Sequence, residues 1–468
     1  ALALAAAGCG KEAPAPVVHG PEEAPDAGPP DAGPPDAGPP DAGPIQPPDA
    51  GPTGPEGPVC TAPTAGWAEA GGAQWGCPDS DELLDVVVDA QGRLLLAGYE
   101  RGALTQNITP SGDARAVLWT LPAQGAPTVQ ALDLPGTPEV LEALALHPQT
   151  GAPYFTGRTP GAFPGFGAQG QQDLFVGEVA QDGALHVRYQ GGDAYPQHPN
   201  RLAFDSAGDL LVAGYDDTWV VGSAVQRWED PFVLKLRLGE PGAPLSELWW
   251  QRFETAGPDL LLALGAGPAD GAFYVGGLDS EGMQRGPYVQ RRDAQGALVW
   301  ERRFSDLGAD AVGAVQALAD GSVLVAGTTF GTLGEHSHGQ QDAVVQRLDG
   351  ATGEVLWTAQ LGSAQSDWVT DLAVDPVDGS IAVVGETLGT VDPAHPHAGE
   401  YDVFLARLDA QGRVLGLRQW GSAGDERPAA VALDAQGRAL LVGYTTGALA
   451  GPLQGGRDAF LLVTAPTR

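Results

Sequence analysis

Lysine is almost missing from this chain of 468 residues: Lys11 and Lys235 are the only two, and 24 Lys+Arg stand against 59 Asp+Glu, a net charge of -35. No stretch gathers enough cations to hold a phosphate backbone, so nucleic acid is excluded as a partner. Beyond the first eight residues no apolar run reaches 18, so nothing in the body of the chain reads as a membrane-spanning helix. Cysteine is limited to Cys9, Cys60 and Cys77. There is no Gly-x-Ser-x-Gly and no Cys with a neighbouring His, and carboxylates are too common for a catalytic pair to stand out, so no catalytic residue is nominated. What the chain has instead is turn chemistry, with 68 Gly and 41 Pro.

The front of the chain is built differently from the rest. Residues 1–8, "ALALAAAG", are small and apolar and run into Cys9. They resemble the remnant of a bacterial lipoprotein signal peptide, although Ala6 stands where that motif usually has Leu. The resemblance implies cleavage before Cys9, lipidation of Cys9, and initial residues that are missing here. The other reading of Cys9 is a stray thiol in a disordered tail.

From Pro25 to Pro44 the unit "PDAGP" recurs, with Asp26, Asp31, Asp36 and Asp41 five residues apart. A period of five excludes collagen. Proline at this density, with little apolar surface to bury, predicts a disordered, acidic linker over residues 9–66, reaching on the order of 100 Å. Cys60 and Cys77 are expected to pair as a disulfide, as leftover cysteines of an exported chain commonly do; free or metal-bound thiols are the alternative.

From Trp67 to Arg468 short β runs alternate with Gly-containing turns. A strand ending in glycine recurs seven times, at Gly98, Gly157, Gly214, Gly276, Gly327, Gly385 and Gly443. Seven units at a near-constant period predict an all-β repeat architecture, a seven-bladed β-propeller of four-stranded antiparallel blades. The last repeat stops after its third strand, while the stretch from Trp67 to Trp75 is an orphan fourth strand. Together they complete one blade, so an N-terminal strand closes the ring. That is why "QWGCPDSDELLDVVVDAQGRLLLAGY" at Gln74–Tyr99 aligns without a gap to "QWGSAGDERPAAVALDAQGRALLVGY" at Gln419–Tyr444.

The repeats resemble a bacterial seven-bladed propeller family of exported and cell-surface proteins. The match is carried by Asp342-Ala343-Val344, Asp402-Val403-Phe404, Asp458-Ala459-Phe460 and the turns at Asp409–Gly412 and Asp434–Gly437. Blade four departs from it, with Gly286-Pro287-Tyr288 where the Asp would stand. The resemblance implies fold and export but no chemistry.

Two loops carry His-x-His, at His336 and His338 and at His395 and His397, beside Glu335 and Glu400. These are candidate ligands for a divalent metal, or else solvated loop residues. The loops between blades carry Asp79, Asp81, Glu82, Asp306, Asp310, Asp367, Asp425 and Glu426, which are read either as an acidic partner-binding face or as solubilising and turn-capping charge.

The segment Leu348–Gly362 resembles the tryptophan-docking repeat of quinoprotein dehydrogenases, with Trp300 and Trp420 as partial counterparts. That repeat also occurs in the lipoprotein scaffold of the outer-membrane barrel-assembly machine, and the simplest role for such a Trp is packing between blades. The expectation is a monomeric, non-catalytic binding or scaffold propeller, held at the outer membrane by its lipid anchor alone and binding an envelope protein or polysaccharide. No cofactor is predicted beyond the divalent metal. The competing expectation is an enzyme, metal-dependent or quinoprotein-like, using the loop-bearing face.

Overall fold

The computed structural model describes residues 67, 70–101, 114–221, 225–240, 242–253, 259–279, 286–304 and 311–466, without the side chains of 218–228. Cys9, expected to be lipidated, the expected linker 9–66, Cys60, Asp306 and Asp310 lie outside the described residues. Strand β1 is Gly71–Trp75. Blade one follows as β2 to β5 (Asp81–Val88, Leu94–Glu100, Arg115–Leu121, Thr128–Leu132) and blade two as β6 to β9 (Val140–Leu146, Pro153–Thr159, Asp173–Val179, Leu185–Gly191). Blade three is β10 to β13 (Gln197–Phe204, Leu210–Val221, Val225–Arg237, Ser246–Arg252), and blade four is β14 to β17 (Asp259–Ala266, Phe273–Asp279, Gly286–Arg292, Leu298–Arg303). Blade five is β18 to β21 (Val312–Ala317, Ser322–Thr329, Asp342–Asp349, Val355–Leu361), and blade six is β22 to β25 (Asp367–Val374, Ile381–Thr387, Asp402–Leu408, Val414–Trp420). Blade seven is β26 to β28 (Glu426–Leu433, Ala439–Thr445, Asp458–Val463) with β1 as its fourth strand, antiparallel to β28 from Gly71↔Val463 to Trp75↔Ala459.

These are seven four-stranded antiparallel sheets, a seven-bladed β-propeller closed by the N-terminal strand, with no helix among the described residues. Second and third strands are buried almost throughout, while fourth strands form the exposed rim. Apolar side chains therefore meet between blades, as where Ala459, Leu461, Leu440 and Val442 of blade seven pack with Leu94, Leu96 and Trp119 of blade one. At that seam Trp75 meets Trp119 edge to face at 6.1 Å.

The recurrent glycine has one cause in every blade. The inner strand bulges opposite it, and a Cβ there would collide with an inner-strand carbonyl: Glu82 for Gly98, Val140 for Gly157, His198 for Gly214, Ala311 for Gly327, Trp368 for Gly385 and Arg427 for Gly443. In blade four the expected Gly276 is displaced by one residue. It is Gly277 that pairs with Leu261 and whose Cβ would meet the Leu260 carbonyl.

The lower turns owe their shape to aspartate. Asp409 accepts the amides of Gln411 (3.0 Å) and Arg413 (2.9 Å), and Asp434 those of Gln436 (2.9 Å) and Arg438 (2.8 Å). Trp300 and Trp357 dock on such turns of the following blade. The Trp300 indole donates to the Gly350 carbonyl at 3.0 Å, and Trp357 occupies the space a Cβ on Gly412 would need. The Trp of the docking-like repeat is therefore a packing residue between blades.

Candidate binding face

The loops joining second to third strands, and those crossing between blades, share one end of the ring. Four blades fasten them with the same device. In blade six Asp402, at the start of the third strand, accepts the Ala398 amide at 3.0 Å and the Gln419 amide nitrogen at 2.7 Å. Gln419, on the fourth strand, also donates to the Gly389 carbonyl at 2.9 Å and accepts from Val391 at 2.9 Å. Asp173 with Gln190, Asp342 with Gln360, and Asp458 with Gln74 repeat the arrangement. A sequence signal for it exists, since each glutamine stands two residues before a glycine that leaves room for the aspartate (Gly76, Gly192, Gly362 and Gly421).

The loop acids behave accordingly, and the expectation of an exposed acidic face is corrected for four of them. Asp81, Glu82, Asp367 and Glu426 are buried. Asp367 accepts the Ser363 amide at 2.6 Å, Glu426 accepts the Ser422 amide at 2.7 Å and the Thr445 hydroxyl at 2.8 Å, and Asp81 accepts the Cys77 amide. They cap crossing loops, because a buried amide left without an acceptor is costly. Burial pushes Asp81 up to about 7 and also raises Asp367 and Glu426, outweighing the hydrogen bonds that oppose it. Asp79 is exposed and Asp425 half-buried. Cys77 is wholly buried, and Cys60, the partner expected for it, lies outside the described residues.

The four loop histidines sit within their own loops. His336 and His338 are exposed, and His338 Nε2 lies 3.3 Å from the Gln360 carbonyl. His395 Nδ1 lies 2.8 Å from Asp392, and His397 Nδ1 3.4 Å from Asp402. Among the described residues no three His, Cys, Asp or Glu side chains converge as a metal-binding group.

What sequence reasoning missed is the layer at the upper ends of the inner strands, where the residue after each recurrent glycine meets its inner-strand partner. The pairs are Glu82↔Tyr99, His198↔Tyr215, Trp368↔Glu386 and Arg427↔Tyr444. Across blades six, seven and one they build a continuous arc. Trp368 meets Tyr401 at 5.7 Å, the Arg427 guanidinium lies 3.4 Å from the Tyr401 ring centre, and Arg427 pairs with Glu386 at 2.6 Å. Arg457 lies 4.4 Å from the Tyr444 ring centre and pairs with Glu82, and Arg101 lies 5.7 Å from that of Tyr99. Burial raises Tyr99 and Tyr444, and it keeps Glu386 above the usual carboxylate range even beside Arg427.

Blades two and three add a smaller group. His198 is stacked on Tyr215 at 4.7 Å and held between Arg158 and Asp217, each at 3.1 Å. Burial, then Arg158, keeps His198 below its ordinary value against the pull of Asp217. Blade four carries only Leu260 opposite Leu278 at this level. The face is thus asymmetric. One side offers aromatic rings interleaved with guanidinium groups, of which Arg427 and Arg457 are held by Glu386 and Glu82.

No family model matches the sequence, and no curated protein matches it. Solved structures are similar to it at low identity. Sqt1 of Chaetomium thermophilum, bound to the N-terminus of the ribosomal protein L10, is 13% identical with a TM-score of 0.46 over 85% of this chain and 100% of that one. Hydrazine synthase of Kuenenia stuttgartiensis is 13% identical with a TM-score of 0.45 over 79% and 92%, and the polysaccharide lyase Uly1 is 10% identical with a TM-score of 0.42 over 83% and 90%. Likenesses this weak carry no argument about function.

Proposed function

We propose that this propeller is a non-catalytic binding or scaffold module, and that a protein partner docks on the arc of Trp368, Tyr401, Arg427, Tyr444, Arg457 and Tyr99. The observation that carries this reading is the interleaving of aromatic rings with guanidinium groups across three blades. Tyr, Trp and Arg are the side chains that dominate interface energetics, and pairing them beforehand with Glu386 and Glu82 lowers the cost of ordering them on binding. The small residues before Cys9 and the proline-rich acidic stretch support display at a bacterial envelope on a lipid anchor at Cys9, with Cys60 paired to Cys77 where the linker meets the ring.

The test is cross-linking of the full-length protein in its own cells, followed by mass spectrometry and affinity measurement on the captured protein. Arg427→Ala and Tyr444→Ala are each expected to weaken that complex by roughly 10- to 100-fold. Leu298→Ala, on the exposed rim of blade four, is expected to leave it unchanged. A complex indifferent to all three substitutions would sink the proposal, and so would reproducible capture of polysaccharide alone.

A further inference from the structure

All seven inner strands bulge at one level, and the residue that resumes the pairing after the bulge is equivalent from blade to blade. The seven are Asp85, Ala143, Arg201, Ala263, Ala314, Asp371 and Ala430. Four are alanine, and the three exceptions are all ionisable.

The two aspartates have a structural task. Asp85 accepts the Leu144 amide of blade two at 2.6 Å, and Asp371 accepts the Val431 amide of blade seven at 2.9 Å, so each fastens its blade to the next. Arg201 has no such explanation. Its Nη1 donates to the carbonyl of Asn200 (2.9 Å), and its Nη2 reaches from blade three to the Gly313 carbonyl of blade five (3.4 Å). Among the described residues its hydrogen bonds go to these two carbonyls, which leaves further guanidinium donors for another acceptor. Arg201 also acts electrostatically on Asp85 and Asp371, lowering both against the burial that raises them. Towards the lower turns a cavity of about 330 Å³ opens, lined by Arg201, Asp371, Leu264, Val315, Gln316 and Leu372 and otherwise by alanine and glycine. That is the size of a small-molecule site, and its walls mix apolar side chains with the polar groups of Arg201, Asp371 and Gln316.

We propose that this cavity binds a small zwitterion of the amino-acid type, with its carboxylate on the Arg201 guanidinium, its ammonium on Asp371 and its side chain against Leu264, Val315 and Leu372. Guanidinium matches carboxylate in both charge and hydrogen-bond geometry. The charge balance selects the class. Arg201 and Asp371 both line the cavity, so a simple anion would meet Asp371 beside Arg201 and a simple cation would meet Arg201 beside Asp371. A zwitterion answers both charges and adds none.

The test is calorimetry on the full chain with glycine, alanine, leucine, glutamate and lysine as free amino acids, and with acetate and methylamine as half-probes. At least one amino acid with an apolar side chain is expected to bind, more tightly than either half-probe. Arg201→Gln and Asp371→Asn are each expected to weaken it by roughly tenfold or more. Ala266→Phe fills the cavity without touching the charged groups and is expected to abolish binding, so the proposal stays testable if a charge variant fails to fold. It is overturned if no amino acid binds the parent protein at millimolar concentration, if acetate binds as tightly as the amino acids, or if Ala266→Phe leaves binding intact.

Discussion

Blades seven and four are built to the same plan by opposite means. Blade four is continuous in sequence yet lacks the loop fastener: Gly286 begins its third strand where blades two, five, six and seven have aspartate, and Arg302 stands opposite Val289 where those blades have glutamine. Blade seven is assembled from the two ends of the chain and has the fastener complete, with Gln74 reaching Asp458 at 3.0 Å, the Gly447 carbonyl at 2.9 Å and the Ala450 amide at 3.1 Å. The device is therefore specified by side chains and indifferent to connectivity. It recurs where the ring must hold itself shut.

The largest expected effect follows from breaking that closure. Deleting residues 67–75 removes β1 together with Trp67 and Trp75, both buried. Truncating a buried tryptophan costs roughly 3–5 kcal/mol on its own, against total stabilities of about 5–15 kcal/mol. Followed by circular dichroism, the deletion variant is expected to show no single cooperative unfolding transition where the parent chain shows one; an unchanged midpoint would refute closure by β1.

A finer comparison sets Gln74 against Gln251, which occupies the equivalent fourth-strand position in blade three and whose side chain, among the described residues, bonds to the Gln295 carbonyl 2.7 Å away. Gln74→Ala leaves buried partners unsatisfied and is expected to cost about 1–3 kcal/mol in denaturant unfolding. Gln251→Ala is expected to stay within about 0.5 kcal/mol. Equal costs would mean that the fastener adds nothing beyond ordinary strand pairing.

The smallest effect is on pH dependence. Burial pushes Asp85 up to about 7, well above the roughly 3.9 of an unfolded aspartate. The folded state therefore binds the extra proton, so this stabilisation is complete below about pH 4 and is lost as pH rises through about 7. The melting midpoint is expected to fall by a few degrees between pH 5 and 8, and Asp85→Asn to flatten that slope. A midpoint that rises over this range, with the same slope in the variant, would contradict the assignment.

Much of this was legible in the sequence because repetition exposes what every blade needs. The seven glycines, the Asp-Ala-Gln-Gly turns and the orphan strand before Gln74 foretold the ring and its closure. Blade four misled by one residue because Gly276 and Gly277 are adjacent, and only strand register tells which of them faces the Leu260 carbonyl. The loop acids were ambiguous for a different reason: Asp367 and Glu426 could be read as a partner-binding face or as solubilising and turn-capping charge, and only the structure shows that each accepts an amide four residues earlier.

The sequence by itself determined the number of blades, the glycine at the bulge in every blade but the fourth, and the joining of the chain ends, because these follow from local backbone sterics and from a period that counts itself. Only the tertiary structure decided which side chains share a face. The arc joins Trp368 to Arg101, and the inner ring joins Asp85, Arg201 and Asp371, all of them far apart along the chain. Ring closure sets those distances, and no local pattern encodes them.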